Sequence, residues 1–427
     1  MKEIKNTNIA HKPHWPHWPY KPYKPYKAHG PYWLLSLILA FIFTSCYRQP
    51  DLYLYDSVDV DFDIPIVDLN LEALWNYEIG YSVTYDWKAE WYYGWDETDN
   101  AIFGNIGYTE PTVFNMRRYF TYDNPYAPHS TVLSNILYEP HFQGALDWGF
   151  WDLLVWNEIH TPDGVQSILI DEKSSLDSVT AYTNASMHLS RYQAPRFTNS
   201  FYAPEELFAA YEQGVEISQD LEGFVYDPER DIYIKKMDMI MHPITYIYLT
   251  QVILHNNRGR ITSADGNANL SGMARSTNLN TGVAGEDAIT IYYSTRMKMN
   301  LPLIPYDPET AANPGANADP ATERVDIVGG RLLSFGIPGT AGNLIKNVSE
   351  VNDQYHHFMD VTMQFNNGMD STFVFDVTRQ VRERYKGGVI TVELDVDTIP
   401  IPRRSGGSGF DAVVKDFEDG GTHEFEM

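Results

Sequence analysis

Carboxylates are the commonest side chains in this sequence with chemistry in reach. Asp59, Asp61 and Asp63 recur at every second position, as do Asp395 and Asp397. Paired acids serve glycoside hydrolysis and Ca²⁺ ligation. Beyond residue 45, however, the chain holds 56 acidic side chains (all but Glu3 of its 57), so close pairs arise by chance. Neither ladder has the Gly or terminal Glu of a calcium loop, and residues two apart on a strand sit about 7 Å apart, too far to share one ion unaided. A solvated strand face that discourages edge association is the better reading. His356 and His357 point to opposite sides of an extended chain, which separates them as metal ligands. No H-E-x-x-H, P-loop or G-x-S-x-G stretch occurs, and Gly406-Gly407-Ser408-Gly409-Phe410 lacks the final glycine. The expectation is a protein without catalytic residues, metal or cofactor.

One sulfur stands apart. Cys46 is the sole cysteine, which rules out an intrachain disulfide and a thiolate-rich metal site. It follows WLLSLILAFIFTS (33–45), an uncharged apolar run of 13 residues. That run is too short to span a hydrocarbon core needing about 20 residues, but it suits the apolar part of a signal peptide. Phe43-Thr44-Ser45-Cys46 looks like a lipobox, where small residues precede a cysteine that takes a diacylglyceryl group; Phe43 is bulkier than the Leu or Val usual there. Each buried lipid CH₂ contributes about 0.8 kcal/mol, so several chains anchor a protein where one is marginal. Residues 1–45 thus read as a lipoprotein signal peptide and Cys46 as the lipid attachment site. The repeat HWPHWPYKPYKPYK within it favours an extended polyproline path and is given no role after cleavage.

The 427 residues are enough for two or three domains. The six lysines and one glutamate of residues 1–45 set aside, 25 basic and 56 acidic side chains remain, a net of −31. Such a surface repels nucleic acid and anionic head groups. Hydrophobic alternation has period two. Val58, Val60, Phe62 and Ile64 alternate with polar residues, as do Ile390, Val392, Leu394 and Val396, predicting strands wet on one face. Met359–Phe365 and Ser371–Val377 flank Asn366-Asn367-Gly368 and predict a hairpin. Helices are predicted at Pro204–Tyr211, which opens with Pro and two acids, and at Thr378–Lys386, ahead of Gly387-Gly388. Residues 311–324 read as a polar loop. The pattern predicts a mostly β fold of sandwiches with few short helices, dividing near residue 236 into domains 46–236 and 237–427.

Residues 75–95 are dense in aromatics. Trp75, Trp87, Trp91 and Trp95 form a candidate binding surface, since exposed rings stack on sugars. They also share one parity, so a strand there could simply turn them to the core.

Several stretches resemble the fimbrillin-like outer-membrane lipoproteins of Gram-negative anaerobes, in an uncharacterised-domain branch of that family. They are CYRQPDLYLYDSVDVDFDIPI (46–66), WDLLVWNE (151–158), PEELFAAY (204–211), NANLSGMARSTNLNTG (267–282) and VDIVGGRLLSFGI (325–337). The most specific are NNGMDSTFVFDVTRQV (366–381) and SGGSGFDAVVKDFEDGGTHEFEM (405–427). The resemblance implies two tandem transthyretin-like (Greek-key) β-sandwich domains, a lipid anchor in the outer membrane, and a role in adhesion or as a pilus anchor or accessory subunit. It implies as partners the membrane, through the lipid, and other pilus subunits joined by strand donation. In pilus-forming members a trypsin-like protease cuts after the first strand. This sequence departs from that pattern, with no Lys or Arg from Gln49 to Trp87. The competing reading is a glycan-binding lipoprotein of a polysaccharide uptake system. Related anaerobes also O-glycosylate exported proteins at Asp-Ser/Thr followed by a small or aliphatic residue, which fits Ser57, Ser178, Ser371 and Thr398. Only Asp51 offers an acid just after Cys46, so the surface and periplasmic faces of the membrane both stay open.

Overall fold

A computed structural model describes residues 65–80, 85–121, 125, 129, 131–159, 167–172, 179–185, 200–310, 319–340, 348–402, 411–414 and 425–426. The signal segment, Cys46, Ser57, the strand expected at 57–64, Ser178 and most of the 311–324 loop lie outside them. All described residues fall in one unit, 63–427. It is mostly β, with multiple sheets and, among the described residues, three short helices.

Alternation builds the first sandwich. In β1 (Pro65–Ala73), Val67, Leu69 and Leu71 are buried while Asp68, Asn70 and Glu72 face outward. There follow β2 (Phe114–Thr121), β3 (Thr131–Leu137), β4 (His141–Ala145), β5 (Gly149–Asn157), β6 (Ile168–Asp171), β7 (Thr180–Thr183), β8 (Ser200–Tyr202), β9 (Phe208–Ile217), β10 (Val225–Asp227) and β11 (Ile232–Pro243). One layer runs β4-β1-β11-β10 and the other β3-β2-β5-β9. The last residues of β11 pair with β9, so one eight-stranded sheet folds over on itself. Val67, Leu69, Phe142 and Met239 meet Met116, Leu153, Val155 and Val215 in the shared core.

The helix expected at Pro204–Tyr211 is not there; Phe208 begins β9 instead. Its residues are buried on alternate sides, Phe208 and Ala210 in the sandwich core, Leu207 and Ala209 against a second cluster with Trp156 and Ile168. Burial on both faces outweighs a helical N-terminal signature that is worth only tenths of a kcal/mol per residue.

The second sheet comprises β12 (Tyr246–His255), β13 (Ile261–Ser263), β14 (Gly266–Ala274), β16 (Ala288–Pro302), β17 (Arg324–Ser334), β18 (Phe358–Phe365), β19 (Asp370–Asp376), β20 (Gly388–Asp395), β21 (Asp411–Val414) and β22 (Phe425–Glu426), joined by β8; β15 (Ser276–Asn278) pairs with β7 and, through it, β6. Its order is β20-β12-β17-β16-β14-β18-β19-β21-β22. The long β16 pairs first with β14 and then with β17, carrying the sheet from one layer to the next. Tyr248, Val252, Val328, Ile390 and Val392 pack against Leu270, Met359, Val361 and Phe373. The expected hairpin is β18–β19, with Gly368 at φ +75 in its turn. The expected C-terminal helix spans Thr378–Glu383. Gly387 (φ +89) then brings the chain so close to β12 that a Cβ there would lie 2.3 Å from the Ile247 carbonyl oxygen. The change of sheet falls at Ile244-Thr245; residue 236 sits inside β11, where Lys236 pairs with Asp68.

Candidate functional site

The aromatic segment was the strongest candidate for a binding surface, and three of its four tryptophans are core. β12 is apolar on both faces: Tyr248, Val252 and Leu254 belong to the second sandwich, while Ile247, Leu249 and Ile253 join the first core. An outward apolar face must be covered. Residues 85–108 cover it as a strap containing α1 (Trp87–Glu90) and α2 (Glu97–Phe103). Trp91 is 0% exposed, and Trp87 and Trp95 are buried. Each indole N–H is satisfied inside the protein: Trp87 donates to Glu78 Oε2 (2.6 Å), Trp91 to the Gly94 carbonyl (3.0 Å) and Trp95 to Asn100 Oδ1 (2.9 Å). Trp87 also stacks on Tyr306 at 5.3 Å. Trp75 alone of the four is open, at 36%. The four-tryptophan surface is therefore corrected to a buried strap and one exposed ring.

Polar side chains of the second sheet, and Arg384 at the end of the Thr378–Glu383 helix, hold the strap. Gln251, on the covered face of β12, accepts from the Tyr92 N–H (3.0 Å) and donates to the Glu90 carbonyl (2.7 Å). Arg384 donates to Glu90 Oε2 (2.7 Å) and to the Tyr85 hydroxyl (3.2 Å). Gly329 of β17 leaves room for the Tyr93 ring, which would otherwise lie 2.4 Å from a Cβ. At the centre is Asp99, 0% exposed. Its Oδ1 accepts from Tyr93 OH (2.9 Å) and Arg296 (2.8 Å), its Oδ2 from Lys298 (2.5 Å) and the Asp96 N–H (2.8 Å). Asp96 completes a capping box at the start of α2. Burial by itself would raise the Asp96 carboxyl, but the Asp99 N–H, Arg296 and Lys298 outweigh it and hold it well below the usual carboxylate range. These groups are saturated by one another, so their chemistry is attachment of the strap.

A second buried acid lies on β18. Asp360 Oδ2 accepts from Asn269 Nδ2 (2.7 Å), while Oδ1 has no hydrogen-bond partner among the described residues. Burial pushes the carboxyl up to about 7, against the lowering effect of Asn269. Nearby in sequence, His357 is buried with neither ring nitrogen bonded among the described residues, and burial lowers it to about 4. The signs oppose. Asp360, raised above its unfolded value of 3.8, contributes stability that is complete below that pH and lost as pH rises through about 7. His357, lowered from 6.5, contributes stability present above pH 6.5 and lost as pH falls toward 4. Asp360→Asn keeps His357 in both proteins and isolates the acid. Its unfolding free energy relative to wild type is expected to rise between pH 5 and pH 8 by about 1–3 kcal/mol, read by urea titration. A difference flat across that range would remove the effect.

The remaining expected sites scatter. Ser371, in β19, is 8% exposed, and a transferase has no access to a hydroxyl inside a paired strand, so this site is withdrawn. Thr398 is exposed at the end of a one-turn 3-10 helix, its hydroxyl donating to the Asp395 carbonyl (2.7 Å). Asp395 accepts from Asn256 (3.0 Å) and the Asp397 N–H, and Asp397 pairs with Arg258 and Arg260. His356 is exposed and His357 buried, in irregular chain just ahead of β18. The Asp99 cluster went unread in sequence, although Asp96-Glu97-Thr98-Asp99 has the spacing of a capping box.

No family model matches this chain, and no curated protein does. Solved structures do resemble it at low identity. One is a candidate adhesin from Bacteroides ovatus (TM-score 0.42, 12% identity, covering 80% of this chain and 95% of that one). Another is a candidate polysaccharide-binding protein from Bacteroides thetaiotaomicron (TM-score 0.35, 8% identity, 77% and 91%). A third is the fimbrial anchor protein Mfa2 from Porphyromonas gingivalis (TM-score 0.34, 9% identity, 84% and 95%).

Proposed function

We propose that this chain is a lipid-anchored cell-envelope protein of the fimbrillin type, held in the outer membrane through Cys46. It acts by attachment, as a pilus anchor or accessory subunit or as a stand-alone adhesin, and performs no chemistry. The observation that carries this reading is the position of β1. That strand is hydrogen-bonded on both sides, parallel to β11 and antiparallel to β4. The nearest basic residues after it are poor protease sites. Lys88 lies in α1, paired with Glu78 at 2.7 Å, and Arg117 and Arg118 lie in β2, paired on both sides by β3 and β5. Proteolysis needs an exposed, extended segment, and none of the three offers one. A subunit that keeps its first strand and its lipid suits the base of an assembly or a solitary adhesin better than a processed stalk.

The glycan-uptake reading needs an open aromatic cleft, and burial of Trp87, Trp91 and Trp95 counts against it. Among the O-glycan motifs, Thr398 is the described position with an accessible hydroxyl, and it is the one we expect to be used. The test is isolation from native envelopes with mass measurement of the N-terminal peptide and identification of whatever co-purifies. A peptide starting at lipid-modified Cys46, with pilus subunits attached, is the expected result. A native N-terminus near residue 89 or 118, or an unlipidated Cys46, defeats the proposal.

A further inference from the structure

The two sheets treat their terminal strands differently. At one end of the second sheet, β20 is closed by side chains: Gln380 both accepts from the Thr391 N–H and donates to the Thr391 carbonyl (2.9 Å each), and the Tyr85 hydroxyl accepts from the Val389 N–H (2.9 Å). At one end of the first sheet, β3 pairs with β2, and no other strand among the described residues lies along its outer edge. Edges of this kind are normally guarded by charge, proline or a bulge. The β3 sequence, Thr131-Val132-Leu133-Ser134-Asn135-Ile136-Leu137, has no charge and no proline, and its pairing with β2 shows no register shift. Val132 and Ile136 share one face and are 53% and 56% exposed. Leu133 and Tyr138 are exposed as well.

We propose that β3 is a self-association strand, pairing antiparallel with β3 of a second copy of this chain about a two-fold axis through Ser134. The strand is self-complementary in that arrangement. Val132 of each copy falls opposite Ile136 of the other, and Ser134 opposite Ser134, so the exposed apolar side chains cover one another twice. A slip by two residues puts Val132 opposite Ser134 and forfeits both matches. Charge also favours β3 over other contacts between copies. The chain carries a formal net charge of −26, and like-charged copies meet at least cost where neither brings a charge.

The experiment uses the full chain carrying Cys46→Ser, which removes its one thiol, with Ser134→Cys added. Directly opposed antiparallel residues have Cα atoms about 4.5–5.5 Å apart, within disulfide range. Mild oxidation is expected to give a covalent dimer with Ser134→Cys and little with Thr131→Cys, whose opposite number is Leu137. By sedimentation equilibrium, the thiol-free chain is expected to dimerise, and Val132→Lys with Ile136→Lys to weaken that dimer about 100-fold or more at unchanged melting temperature. Should the lysine variant melt early, the cysteine pair decides, because it leaves the apolar residues in place. A thiol-free chain that stays monomeric at every concentration, or equal cross-linking at 131 and 134, overturns the proposal; capture of another protein's strand at β3 in place of a second copy would appear as the first of these.

Discussion

Asp99→Ala is expected to destabilise the protein by about 3–5 kcal/mol, read as a shift in the urea midpoint at neutral pH. The cost arises from what remains. Asp99 has no exposed surface and accepts four hydrogen bonds, from Tyr93, Arg296, Lys298 and the Asp96 backbone. Without it, the Lys298 ammonium, seated 4.1 Å from the Tyr93 ring centroid, keeps Asp96 alone as a counter-charge among the described residues. Tyr93, whose hydroxyl burial and Asp99 together push far up, would keep a buried O–H with no acceptor. Breaking a buried pair from one side costs more than removing both partners, so Asp99→Leu combined with Lys298→Met should lose markedly less. If Asp99→Ala costs under 1 kcal/mol, the strap is not held by this cluster.

Trp91→Ala should cost a similar amount, about 3–5 kcal/mol, through lost burial and the cavity left behind. This substitution separates two roles for the aromatic segment. A ring on a binding platform can be removed with little change in melting temperature but loss of ligand. A ring inside the first core cannot be removed without loosening the strap that carries it. Trp75→Ala, at the exposed ring, is the internal control and should stay within about 0.5 kcal/mol of wild type. Equal effects at 75 and 91 would contradict the burial pattern.

Both substitutions act on the segment where reading the sequence was least decisive. The parity of Trp87, Trp91 and Trp95 was visible, yet the segment forms two short helices and irregular chain, so parity had no strand to act upon. These rings are buried in the first core, to which β12 contributes Ile247, Leu249 and Ile253 from more than a hundred residues away, its Tyr-Ile-Tyr-Leu-Thr-Gln-Val-Ile-Leu run being buried on both faces. Pro204–Tyr211 failed for a related reason. Its proline and acids satisfied a local helical rule, while Leu207 and Phe208 were claimed by two different cores.

The sequence alone determined what depends on near neighbours. Alternation at Ile390, Val392 and Leu394, the Asn-Gly turn after Phe365 and the helix opening at Thr378 appear where they were expected, though Val396, expected in the same strand, falls in a 3-10 turn; pleat and turn are decided within a few residues. The singular Cys46 and the basic-free stretch to Trp87 are likewise properties of the chain as written. Only the tertiary structure decided which aromatics are covered, which acids meet cations and which strands pair. Asp99 finds Arg296 and Lys298 across nearly two hundred residues, and β1 finds β11 across a similar distance. Such contacts depend on complementary surfaces meeting after the strands have formed, and no local periodicity encodes that meeting.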